Sequence, residues 1–179
     1  MSKKRTALIA GTAGLAIGLA FGGAQLASAG HANPVLSADL DGRQEVAGDD
    51  RSKGMVGDPN GRGEAYVFGI DGDPDRQTLC YVLVVDKVAE TDLAPGDGRA
   101  AHIHEGAPGE NGPVVANLAW PEDGQAADCL EADAERGGIA VFADGTSPAD
   151  ILANPGDYYV NVHNTEYPAG AIRGQLGGG

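Results

Sequence analysis

Two stretches decide the fold: Ala101-His102-Ile103-His104-Glu105-Gly106 and Tyr158-Tyr159-Val160-Asn161-Val162-His163. They hold three of the four histidines of the chain. Side chains of a β-strand alternate faces, so His102 and His104 share one side while Ile103 takes the other. In the second run Tyr159, Asn161 and His163 share a side, opposite Tyr158, Val160 and Val162. If the apolar sides pack inward, all three imidazoles emerge on the outer surface of a sheet. That geometry suits a metal site or a tight polar cluster.

Outward from these runs the same grammar continues. Val35–Leu40, Glu64–Ile70, Leu79–Val85, Arg99–His104, Val114–Leu118, Gly138–Phe142, Tyr158–His163 and Ala171–Leu176 read as strands. Asp58-Pro59-Asn60-Gly61, Asp71-Gly72-Asp73-Pro74, Pro95-Gly96-Asp97-Gly98 and Asn154-Pro155-Gly156-Asp157 are turn chemistry between them. Only Ser147-Pro148-Ala149-Asp150-Ile151-Leu152-Ala153 reads as helical, a turn or two opened by a serine cap and a proline at the first position. About eight short strands without a long helix predict an all-β, antiparallel sandwich or flattened barrel.

Lys3, Lys4 and Arg5, an apolar run through Phe21, and the small residues Ala27-Ser28-Ala29 read as a secretory signal peptide over 1–29. The mature domain is expected over 30–179, a secreted chain with no membrane insertion. Removing those three basic residues from 12 Lys+Arg against 26 Asp+Glu leaves a formal net charge of −17. Such a field repels phosphate backbones and anionic lipid, which argues against nucleic acid as a partner. The two cysteines, Cys80 and Cys129, are expected to be bridged in an oxidising compartment, stapling a buried strand to a loop.

Three motifs in order resemble the CHRD (chordin-type) domain family. Ala38-Asp39-Leu40-Asp41-Gly42-Arg43-Gln44-Glu45-Val46 resembles its opening, with Gly42 and Glu45 as family positions. His102-Ile103-His104-Glu105-Gly106-Ala107-Pro108-Gly109-Glu110-Asn111-Gly112-Pro113 resembles its centre, with His102, His104, Gly106, Gly109, Gly112 and Pro113. Tyr158 to His163 and Tyr167 to Leu176 resemble its close, with Asn161, His163, Gly170, Arg173 and Gly174. The likeness spans a core of 36–176. It departs where Ala47 stands for the usual proline and Asn164 for a common threonine. The resemblance implies an immunoglobulin-like sandwich distantly similar to copper/zinc superoxide dismutase.

That comparison implies copper or zinc on His102, His104 and His163. The only other histidine is His31, far from both runs in sequence, so a complete two-metal dismutase set is not expected. Arg173 is expected to pair with Glu105 or Glu166 rather than guide anions. Asp58, Asn60 and Glu64, or Asp71, Asp73 and Asp75, lack the spacing of a calcium loop and read as turns. Glu105 and Glu110 read as solvated loop acids rather than an acid/base pair, and no Gly-x-Ser-x-Gly elbow occurs. His31 would suit an N-terminal copper brace of a polysaccharide oxygenase only if cleavage fell one residue later than Ala29.

Two functional readings therefore stand. The one the sequence favours is a non-catalytic extracellular binding or structural module whose partner is an unidentified protein or glycan. Tyr159, Asn161 and the loop 106–113 would then be its exposed contacts. The alternative is a mononuclear copper- or zinc-binding protein using His102, His104 and His163, with weak redox activity as a further option.

Overall fold

A computed structural model describes residues 35–48, 56–88 and 100–178. The expected leader over 1–29, His31 and the Pro95–Gly98 turn lie outside the described residues. The fold is all-β and antiparallel, with eleven strands among the described residues: β1 (Val35–Asp41), β2 (Arg62–Gly69), β3 (Thr78–Asp86), β4 (Ala101–Glu105), β5 (Val114–Leu118), β6 (Gln125–Glu131), β7 (Glu135–Arg136), β8 (Ile139–Ala140), β9 (Tyr158–Val162), β10 (Ile172–Gln175) and β11 (Gly177–Gly178). The main sheet runs β5-β4-β9-β10-β1-β2-β3-β6, and β11 adds to β1.

Period-two alternation places the inner face. Leu36, Ala38 and Leu40 of β1 point inward, as do Leu79, Tyr81 and Leu83 of β3. Ile103 of β4 and Val160 of β9 stand directly opposite each other in register, and both are fully buried. All of these except the polar tip of Tyr81 belong to one apolar cluster, so the long sheet wraps around a single core. Each such Leu, Ile or Val adds about 1.5–3 kcal/mol on burial, which outweighs local strand propensity. The Tyr81 hydroxyl accepts the Ala119 N–H at 2.6 Å, which satisfies that buried oxygen.

The one α-helix among the described residues, α1 (Pro148–Ala153), starts where expected. The Ser147 side chain accepts from the Asp150 N–H, and the Asp150 carboxylate accepts the Ser147 N–H, a reciprocal capping box with Pro148 in the first turn. Asp58 Oδ1 accepts the N–H groups of Asn60 and Gly61, and Asp73 Oδ2 accepts the Thr78 N–H. These carboxylates shape turns.

Two expected elements differ. Cys129 lies in strand β6, not in a loop, and stands directly opposite Cys80 on β3 with a disulfide between them. The stretch 125–131 escapes a pattern reading because only Ala126 and Leu130 of it are buried, and a polar edge strand resembles a loop. The Asp128 carboxylate accepts the Cys129 N–H and pairs with Arg136, which occupies polar groups along that edge. The expected strand Gly138–Phe142 shrinks to β8, half of a two-strand hairpin with β7. Gly137 and Gly138, at φ of +62° and +76°, form the turn and so cannot extend the strand.

Candidate metal centre

The register builds the site in rows across the sheet. His102 on β4 faces Asn161 on β9, which faces Arg173 on β10. One step along, His104 faces Tyr159, which faces Gln175. His163 follows β9, its N–H donating to the Ala100 carbonyl at 2.6 Å. A register shift between Ile103 and His104, where β4 meets β5, alters the pleat beside these rings.

The histidines do lie opposite the apolar core, yet they are not on an outer surface. His102, His104 and His163 are 3 %, 8 % and 9 % exposed, and Tyr159 and Asn161 are equally buried. The expectation of Tyr159 and Asn161 as exposed contacts is thereby overturned. Three loops form a second, polar layer over this face. His104 Nδ1 bonds the Gly112 carbonyl at 3.0 Å, and His163 Nδ1 bonds the Pro168 carbonyl at 3.2 Å. The Asn111 side chain donates to the Val46 carbonyl, joining the loop 106–113 to the segment after β1. The outer rim of that loop, including Ala107, Pro108 and Gly109, remains exposed.

Those two carbonyl contacts fix tautomers. A carbonyl oxygen only accepts, so Nδ1 of His104 and of His163 carries a proton, and the neutral His104 ring keeps its lone pair on Nε2. The His104 Nε2 atom is buried and has no hydrogen-bond partner. Ring centroids of the three histidines lie 5.1, 5.6 and 6.0 Å apart, and one donor atom from each falls within 4.8 Å of the others. Three nitrogens sharing one ion at about 2.0–2.1 Å lie roughly 3.4 Å apart in a tetrahedral set, so a ring adjustment on the order of 1 Å brings all three to one metal. The donor set fits copper or zinc, and the backbone contacts are the outer-shell partners that metal-bound imidazoles use. Burial holds His104 in its neutral form, with its pKa lowered to about 4; the field of His163 and Arg173 adds to that, and the Gly112 contact opposes it.

Tyr159 is the hub that the sequence did not reveal as such. Its ring stacks on His104 at 4.8 Å and an interplanar angle of 9°, and its hydroxyl accepts the Gly112 N–H at 3.2 Å. The Gly112 peptide is therefore held at both ends, its oxygen by His104 and its nitrogen by Tyr159. A side chain at Gly112 would fall on the Glu105 carbonyl, which is why glycine stands here.

Arg173 does not pair with Glu105 or Glu166. Its guanidinium lies 3.4 Å above the Tyr159 ring centre and donates to Asn111 Oδ1 and the Ala107 carbonyl, each at 3.3 Å. Across from Asn161 in register, it shares the histidine face of the sheet, whereas Glu105 alternates to the other face of β4. The carboxyl whose field reaches it is Glu45, which also hydrogen-bonds Asn161. Burial pushes the Glu45 pKa up to about 8, against the opposing field of Arg173 and the Asn161 bond. Gly170, at φ +138°, leaves the space that this carboxylate fills. Gly42 and Gly174 are likewise buried at close backbone approaches, and Gly106 sits against the Tyr159 ring.

A family model described as the CHRD domain matches residues 36–176. No curated protein and no solved structure matches the chain. No helix among the described residues is long and apolar enough to cross a membrane.

Proposed function

The chain belongs to the CHRD domain family, and from that premise we propose that it is an exported module holding one copper or zinc ion on His102, His104 and His163. One observation carries this reading. His104 is tethered through Nδ1 to the Gly112 carbonyl, so its Nε2 lone pair is left for a ligand such as an ion. A histidine held only for structure would gain most by pairing both of its ring nitrogens. Instead, the His104 Nε2 atom stays buried and unpartnered, a cost of about 1–3 kcal/mol that a bound ion would reverse.

Export is supported by the basic-apolar-small pattern of residues 1–29 and by the Cys80–Cys129 bridge, which persists in oxidising compartments. The module itself is non-catalytic in this proposal. Arg173 is committed to Tyr159 and the loop 106–113, which leaves it poorly placed to deliver anions to an ion. The exposed rim of that loop is where an extracellular protein or glycan would make contact.

Metal analysis of the purified protein after reconstitution tests the reading. One equivalent of copper or zinc is expected, abolished in His104→Ala while the circular dichroism spectrum is retained. A wild-type protein that takes up no ion, with melting unchanged by chelator, overturns it.

A further inference from the structure

Of the six large apolar side chains left exposed among the described residues, four stand on one face of the sheet. Val35, Tyr66, Val82 and Val84 are 46 %, 39 %, 36 % and 43 % exposed, and strand alternation points each of them away from the core. The register sets them in rows. Val35 lies beside the half-buried Phe68, and Phe68 beside Cys80 of the disulfide. In the next row Tyr66 lies beside Val82, and Val82 beside Ala127. The third row brings Asp39 and Glu64 alongside Val84. Rows on one face of a strand repeat every two residues, about 6.8 Å. Two apolar rows are thus followed, at a fixed step, by a pair of carboxylates. That pair borders a depression of about 530 Å³ whose far side is Asp41, Arg62 and Asp86. Arg62 reaches Asp41 at 3.4 Å and Lys87 reaches Asp86 at 3.6 Å, so the nearest cations serve the row beyond.

We propose that the outer face of β1, β2 and β3 docks an extended segment of a partner protein, in which two alternate apolar residues are followed by an alternate lysine or arginine. The histidine cluster lies on β4 and β9, in the other half of the sheet, so this surface stands independently of metal binding. An extended chain matches the repeat of the face, because stacked strands run within about 30° of one another at a spacing of about 10 Å. Charge and area choose the occupant. The apolar rows offer on the order of 300 Å², the size of single patches that are often functional. A stable interface takes roughly 800 Å² from each partner, so polar contacts must supply the rest. A second copy of this chain supplies them poorly, since each copy carries a net charge of −14. A basic partner supplies them where Asp39 and Glu64 stand side by side.

The test uses the purified protein and two blocked peptides of identical composition. In Thr-Val-Thr-Val-Thr-Arg-Thr both valines and the arginine share one face, whereas in Thr-Val-Thr-Val-Arg-Thr-Thr the arginine takes the other. Titration is followed by nitrogen–proton amide shifts. The first peptide is expected to shift amides of β1, β2 and β3, and to bind about fivefold more tightly than the second. Glu64→Lys is expected to weaken the first peptide by about fivefold or more, while Glu105→Lys, the same change four strands away, leaves it unaltered. Val82→Ser is expected to weaken both peptides. Equal affinities for the two peptides, shifts centred elsewhere, no binding, or an equal loss in Glu105→Lys each overturn the proposal. Sedimentation showing a dimer that Val82→Ser dissociates gives the face to a second copy and also overturns it. Should a variant fail to fold, the two peptides on wild type decide.

Discussion

Tyr159→Phe separates the two jobs of the hub residue. The substitution keeps the ring that stacks on His104 and removes only the hydroxyl that accepts the Gly112 N–H. Gly112 is half-buried, so its stranded N–H recovers some solvation and the cost falls at the low end of the range for an unmade hydrogen bond, about 1–2 kcal/mol. For a domain of this size that lowers the melting temperature by roughly 2–8 °C. The same peptide presents its oxygen to His104 Nδ1, so loosening it frees the ligand ring to rotate. Loss of an outer-shell contact of this kind weakens metal binding by about tenfold or more. Calorimetry on the metal-free protein reads the first effect, and chelator competition the second. A Tyr159→Phe protein with unchanged melting and unchanged metal affinity would refute the idea that Gly112 couples these two side chains.

Other consequences are as direct. Replacing both cysteines by serine opens a loop closed over 49 residues; chain entropy puts the loss near 4 kcal/mol, read as a melting drop of roughly 8–16 °C. Glu45 has a folded-state pKa raised from 4.5 to about 8, so its contribution to stability is complete below pH 4.5 and lost as pH rises through 8. Wild type should therefore lose stability relative to Glu45→Gln between pH 5 and 9; parallel curves would remove that assignment. Ser147→Ala breaks the capping box of α1 and should cost about 1 kcal/mol in denaturant unfolding.

Much of the fold is legible because strand alternation and turn residues act locally. Ile103, Val160 and Val162 occupy the core side that their spacing dictates, and Ser147-Pro148 begins a helix by chemistry contained within four residues. The convergence of His163 with His102 and His104 was expected from the likeness to the dismutase barrel; alternation fixes the face of each ring but not that β4 pairs with β9. What covers that face was not. Alternation says which side a residue takes, but not whether a loop such as that of Gly112, 47 residues from Tyr159, folds over it. The burial of Tyr159 and Asn161, and the turn of Arg173 onto a ring, are products of the loop 106–113 and of Glu45. Strand β6 was missed for a related reason, because an edge strand with one polar face has too few buried residues to show a period.

The most direct test of a metal centre on these histidines is long-range nitrogen–proton correlation of the imidazole rings, recorded before and after one equivalent of Zn(II). His104 and His163 should show the proton on Nδ1 in the metal-free protein, and Nε2 should move on loading while Nδ1–H persists. Rings in the opposite tautomer, or spectra that zinc leaves unchanged, would contradict the account.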